Sequence, residues 1–100
     1  MISKENLERI ADARFVNVSV REKGGVAVNV GRTGLINVLG NGDVVLMAEN
    51  KEILRKSSRK LALYFHQGYG GVDLVLREGR RETTYTAHFV LHVDPHAKRK

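Results

Sequence analysis

Residues 50–68 read NKEILRKSSRKLALYFHQG, and the fold class turns on this stretch. Asn50 is a good helix N-cap, since its side-chain oxygen can accept from an amide left unpaired at a helix start. Placing successive residues about 100° apart gathers Ile53, Leu54, Ser57, Leu61, Tyr64 and Phe65 in one sector. Arg55, Lys56, Arg59, Lys60 and His66 fall on the other side. Gly68 suits a left-handed helix stop. The spacing therefore predicts an amphipathic helix with Tyr64 and Phe65 in the core and a basic outer face. On that face Arg55 and Arg59, and Lys56 and Lys60, stand i,i+4 and form two cationic rows, with Glu52 placed to pair with Lys56.

Outward from this stretch the period changes. Val16, Val18 and Val20 alternate with Asn17, Ser19 and Arg21; after KGG, Val26, Val28 and Val30 alternate with Ala27 and Asn29. Period two on both sides of a glycine turn predicts a β-hairpin. A second hairpin follows, with strands over 35–39 and 44–48 and Asn41-Gly42 as a type I′ turn. Downstream, residues 72–94 predict a last hairpin. In its second strand Tyr85, Ala87, Phe89, Leu91 and Val93 share one face; Thr84, Thr86, His88, His92 and Asp94 share the other. At the N-terminus Ser3 caps a helix expected over residues 4–13, with Leu7, Ile10 and Ala11 at helical spacing. The order αββββαββ implies an α+β fold: a two-layer sandwich, with a largely antiparallel sheet of about six strands and two helices covering one face. The chain reads as a single globular domain over 1–100, with 96–100 a disordered basic tail.

The charge is unevenly spread. Residues 1–50 carry six Lys and Arg against six Asp and Glu, whereas residues 51–100 carry eleven against five. The net charge of +6 therefore belongs to the second half. A basic surface of this kind suits a polyanion. There is no cysteine, which excludes disulfides and thiolate metal sites. No apolar h-region opens the chain, and no apolar run approaches the roughly 20 residues that span a bilayer. A cytoplasmic protein without membrane contact is the expectation.

Motifs for chemistry are weak. No serine lies in a G-x-S-x-G setting, and the glycine stretches GRTG (31–34) and GYGG (68–71) match neither phosphate-binding fingerprint. His88, His92, Asp94 and His96 share one parity of the last strand, but His88 and His92 would stand about 13 Å apart, too far to share a metal, and His92, Asp94 and His96 converge only if the chain bends at Pro95. Completion of a site by His66 or by a second subunit is the open alternative, and His88 or His92 with Arg77, Arg80 or Arg81 has the residue types of a ribonuclease. Geometry decides that, so the chain is expected to be non-enzymatic and to need no cofactor or metal.

The functional expectation is nucleic-acid binding, DNA or RNA, through the phosphate backbone. The candidate residues are Arg55, Lys56, Arg59 and Lys60 on the helix face, Arg77, Arg80 and Arg81 at the hairpin tip, Tyr69 in the glycine loop, and the tail. Base stacking on the sheet is disfavoured, because Tyr85 and Phe89 have the parity opposite to the polar face. The alternative is a protein-interaction module or inhibitor that docks on a larger acidic partner. The uncharged strand 26–30 would serve either class as a homodimer edge.

Overall fold

Alternation of apolar and polar side chains runs through most of the chain, and the structure, a computed structural model, turns it into one antiparallel sheet. It describes residues 1–66 and 70–89. The elements are α1 (Lys4–Ile10), β1 (Arg14–Glu22), β2 (Val28–Val38), β3 (Asp43–Ala48), β4 (Lys51–Ser57), a 3₁₀ turn (Ser58–Lys60), β5 (Leu61–Phe65), β6 (Gly71–Glu78) and β7 (Arg81–Phe89). The spatial order is β4-β3-β2-β1-β7-β6-β5.

That order forces the sheet to curl. β4 and β5 are consecutive in sequence yet lie at opposite edges. A flat sheet of seven strands would hold its edges roughly 29 Å apart. The link Ser58–Lys60 reaches only about half as far. The edges must therefore approach each other at this corner, and the sheet becomes a half-barrel. The corner is tied down by backbone bonds: Ser58 N–H donates to Gly42 O at 3.0 Å, and Ile2 N–H donates to Ser58 O at 3.0 Å. Ser57 caps the turn by accepting from Arg59 N–H at 3.3 Å.

The concave face holds the core. Phe15, Ile36, Val44, Leu46, Leu61, Val72 and Leu74 are each at most 1% exposed, and Ile2 and Ile10 bring the N-terminal segment against them. Phe15 stacks on Phe89 with ring centroids 4.9 Å apart. Arg9 of α1 lies 3.9 Å from the centroid of the Phe65 ring, a cation–π contact that holds the helix to β5. Close packing leaves no room for a side chain at Gly34, where a Cβ would sit 2.5 Å from Val18 Cγ2 and 3.0 Å from Met47 O.

The α+β expectation holds only coarsely. The sheet has seven strands among the described residues, and α1 is the single α-helix there. The second helix does not form; its residues make β4, the 3₁₀ turn and β5. The cause lies in a coincidence of spacing. Leu54, Leu61 and Phe65 are seven and four residues apart, which fits a helical stripe. A break at Ser57–Lys60 puts the same side chains on the inner face of two strands. Pairing with β3 and β6 then supplies backbone partners that no local window contains. Asn50 is accordingly no helix cap. It forms the β3–β4 turn with Glu49; their φ values of 63° and 52°, with Ala48 paired to Lys51, match a two-residue type I′ turn.

Smaller expectations also shift. Ser3 does cap α1, accepting from Asn6 N–H at 3.2 Å, but the helix ends at Ile10, before Asp12 at φ 60°. Gly42 has the expected positive φ of 91°, whereas Asn41 does not. Gly42 N–H donates to Leu39 O at 3.0 Å, which closes a turn one residue longer than type I′. Gly31 and Gly34 lie inside β2 and not in a loop. In β1 a bulge at Asn17, φ 53°, lets Phe15 and Val18 both face inward and turns Val16 out. The last hairpin forms with the expected faces over its described part. Among the described residues no helix is long and apolar enough to cross a membrane.

Candidate functional site

Loss of the second helix dissolves the basic face built on it. Arg55 and Lys56 are neighbours in a strand and point to opposite sides of the sheet. Arg55 is held by Glu52, with Nη2 2.7 Å and Nε 3.0 Å from the same carboxylate oxygen. That hydrogen bond holds the Glu52 carboxyl below its usual range and raises Arg55. Glu52 thus takes Arg55, where the helical spacing expected Lys56. Lys56 reaches across the curl to Glu78 at 3.2 Å. Arg77 pairs with Glu82 at 2.8 Å. Arg81 pairs with Glu22, and the bond raises its pKa. Four of the expected phosphate-binding cations thus have a carboxylate beside them. Arg80 stands at the β6–β7 turn, Arg59 and Lys60 lie in the 3₁₀ turn, and Tyr69 and the tail lie outside the described residues.

The convex face of β5–β7 makes a different constellation. Strand parity sets Ala62, Tyr64 and then His66 on it from β5. The register places Asp73 opposite Tyr64 and Thr86 opposite Asp73. Gly71 stands opposite His88 in the next row. Tyr64, expected in the core, is 54% exposed here, because β5 is a strand and consecutive aromatics face opposite sides. Phe65 packs against the core as expected. A groove of about 210 Å³ runs beside Tyr64, lined also by Arg59, Lys60, Ala62, Val75 and Arg77.

Two histidines converge at the far end of the strip. His66 Nε2 lies 2.9 Å from Asp73 Oδ1, and the same oxygen accepts from Thr86 Oγ1 at 2.6 Å. The side chains of His66 and Asp73 are 22% and 29% exposed, which shelters the pair from water without sealing it off. The rings of His66 and His88 meet edge to face at 5.7 Å. Between them lies Gly71. A Cβ there would stand 2.9 Å from His66 Nδ1, 3.1 Å from His88 Nδ1 and 3.0 Å from Ala87 O. Gly71 is buried, and its missing side chain is what lets the two imidazoles and Ala87 O close over it. Among the described residues, no three of His, Asp and Glu are placed to hold a metal ion.

Another concavity, about 580 Å³, lies on the outer side of β1–β3. Arg14 and Glu49 are its only charged groups; Val16, Leu35 and Met47 supply the apolar lining. It lacks a group that titrates near neutrality, so the histidine strip is the better candidate for chemistry.

Sequence reasoning missed Asp73 and set His66 on a helix. The signal that finds both is strand parity: once β5 is a strand, His66 shares a face with Tyr64, and pairing brings Asp73 and His88 to it. The chain matches no protein-family model, no curated protein and no solved structure.

Proposed function

We propose that the chain binds single-stranded nucleic acid on the convex face of β5–β7. The observation that carries the reading is Tyr64, 54% exposed on an open sheet face beside a groove lined by Arg59, Lys60 and Arg77. An aromatic ring in that position can stack a base that a duplex would keep paired. Cations at its edge can hold the phosphates on either side. The argument against sheet-face stacking, drawn from Tyr85 and Phe89, lapses because Tyr64 is the strand's outward aromatic. The net charge of +6 favours a polyanion over neutral partners.

Fluorescence anisotropy with generic single-stranded RNA, single-stranded DNA and duplex DNA at two salt concentrations tests this. Single strands should bind more tightly than duplex, with affinity falling steeply as salt rises. Arg59→Ala with Lys60→Ala should flatten the salt slope by about 0.7 for every phosphate that is no longer neutralised. Equal binding to duplex, or binding indifferent to salt, would count against it.

A second reading has its own support. Pairing between β2 and β3 begins at Gly34, and Glu49 takes the edge at Arg32 and Thr33, so residues 28–30 pair with β1 alone. Val26 and Val28 are 86% and 61% exposed. An uncharged, half-paired strand of this kind suits edge-to-edge pairing with a second copy of the chain. Sedimentation of the parent and of Val28→Lys distinguishes it: a dimer that the lysine disrupts is expected, and a monomer at all concentrations contradicts it.

A further inference from the structure

We propose that the concavity on the outer side of β1–β3 is a second subsite for the same single strand, one that selects a nucleobase with an exocyclic amino group. Glu49 reads the amine and Arg14 holds a phosphate; the inference rests on the single-strand binding proposed for β5–β7. Strand register makes the two places one surface. Arg14 stands opposite Leu35 and Leu35 opposite Met47, so these three form one outward row. Val16 and Thr33 form the next row, and Val16 also stands opposite His88 of β7. His88 shares its parity with Thr86, which continues through Asp73 to Tyr64. The concavity is therefore continuous, across β1 and β7, with the face that carries Tyr64. Four strand spacings, roughly 19 Å, separate Tyr64 from the β2 wall. One strand can reach both, since small single-strand-binding folds cover about 4–16 nucleotides.

The lining says what the subsite takes. A volume of about 580 Å³ falls in the range of pockets that hold small ligands, about 300–1,000 Å³. Val16, Leu35 and Met47 are half-buried and give a flat ring an apolar wall. Glu49 is the positioned polar group. Its Oε1 accepts from Arg32 N–H at 2.8 Å, and its own N–H donates to Thr33 O at 3.1 Å, so the carboxylate is held in place at the wall. A carboxylate has about four acceptor positions and no donor, and this bond uses one of them. It therefore suits a base that presents an N–H₂ group. Cytosine presents such a group where uracil presents a carbonyl oxygen. The ring N–H of uracil is flanked by two carbonyl oxygens, which a carboxylate repels. Arg14 lines the other side, on β1, and is exposed. Unlike Arg55, Arg77 and Arg81, it has no carboxylate paired with it among the described residues. It is left to meet a phosphate of the strand that carries the base.

The test compares oligocytidylate with oligouridylate, strands of about ten nucleotides whose rings are of one size, by fluorescence anisotropy at a fixed salt concentration. The parent should bind the cytidine strand about tenfold more tightly, the effect of one hydrogen bond to a charged group. Glu49→Gln keeps an oxygen for Arg32 N–H and turns the other acceptor into a donor. The preference should then disappear, chiefly through tighter binding of the uridine strand. The ratio of the two affinities is the readout, because removing one negative charge favours both polyanions alike. Arg14→Ala should weaken both strands equally, leave the ratio unchanged and flatten the salt slope by about 0.7. Thermal midpoints near the parent's certify that both variants are folded. Equal binding of the two strands by the parent, or a preference that survives Glu49→Gln, overturns the subsite and leaves the Tyr64 surface standing. No binding to either strand overturns both readings.

Discussion

The two faces of β5–β7 are made from alternate residues of the same strands, and they obey different rules. On the concave side Leu61, Val72, Leu74 and Ala87 are each at most 1% exposed and pack against α1 and the opposite wall. On the convex side Tyr64, His66, Asp73, Thr86 and His88 are polar or aromatic, and Asp73 accepts from Thr86 with His66 2.9 Å away. The inner face is specified by volume and apolarity, so it fixes the fold. The outer face is specified by hydrogen-bond geometry, which the fold does not require. A polar cluster held in such register on a surface that needs only to be wet is the reason for assigning function to that side.

Substitutions that respect this division should separate stability from binding. Leu74→Ala removes an inner-face side chain that is 1% exposed and should cost about 2–5 kcal/mol, read by urea or thermal unfolding. Its neighbour Asp73, replaced by Asn, should leave the midpoint nearly unchanged; if the two cost the same, the division between faces fails. Gly34→Ala should come next, at about 1–3 kcal/mol, because its Cβ would lie 2.5 Å from Val18 Cγ2 and 3.0 Å from the backbone oxygen of Met47. A wild-type midpoint for Gly34→Ala would mean that β1 and β2 can move apart at little cost.

The smallest effect is electrostatic. Tyr85 lies on the inner parity, and its pKa is raised, first by burial and then by the nearby Glu78 carboxylate. Above the usual tyrosine range, near pH 10, the unfolded chain loses this proton more readily than the folded one. Stability is therefore undiminished by Tyr85 below about pH 10 and declines as pH rises from there toward its raised folded-state value. Tyr85→Phe should flatten that alkaline decline in a series of thermal melts, and an unaltered slope would place Tyr85 in a wetter setting.

Much of the sheet was legible in the sequence, and the reason is local. Val44, Leu46 and Ala48, and Tyr85, Ala87 and Phe89, alternate without interruption, so their faces follow from period two. The α1 cap was legible at Ser3 for the same reason. Residues 50–66 were not. Leu54, Leu61 and Phe65 satisfy a helical stripe and a strand pair with a break at Ser57–Lys60 equally well, and only pairing with β3 and β6 decides between them. The site shared that fate. His66 just past β5, Asp73 in β6 and His88 in β7 are far apart in sequence, and spacing along any one strand says nothing about their convergence. Arg55, Lys56, Arg59 and Lys60 were placed on a helix that does not form, while Glu22, Glu78 and Glu82, which pair with Arg81, Lys56 and Arg77, come from other strands.

Tyr64→Ala tests the central claim most directly, because it touches the convex face at its exposed aromatic and nowhere in the core. The measurement is the affinity of parent and variant for one single-stranded RNA at low salt, with the thermal midpoint of each. The account predicts an unchanged midpoint and an affinity loss of about 1–3 kcal/mol, the contribution of one base stacked on an aromatic ring. Equal affinities in the two proteins, or a parent that binds no single strand, would contradict it.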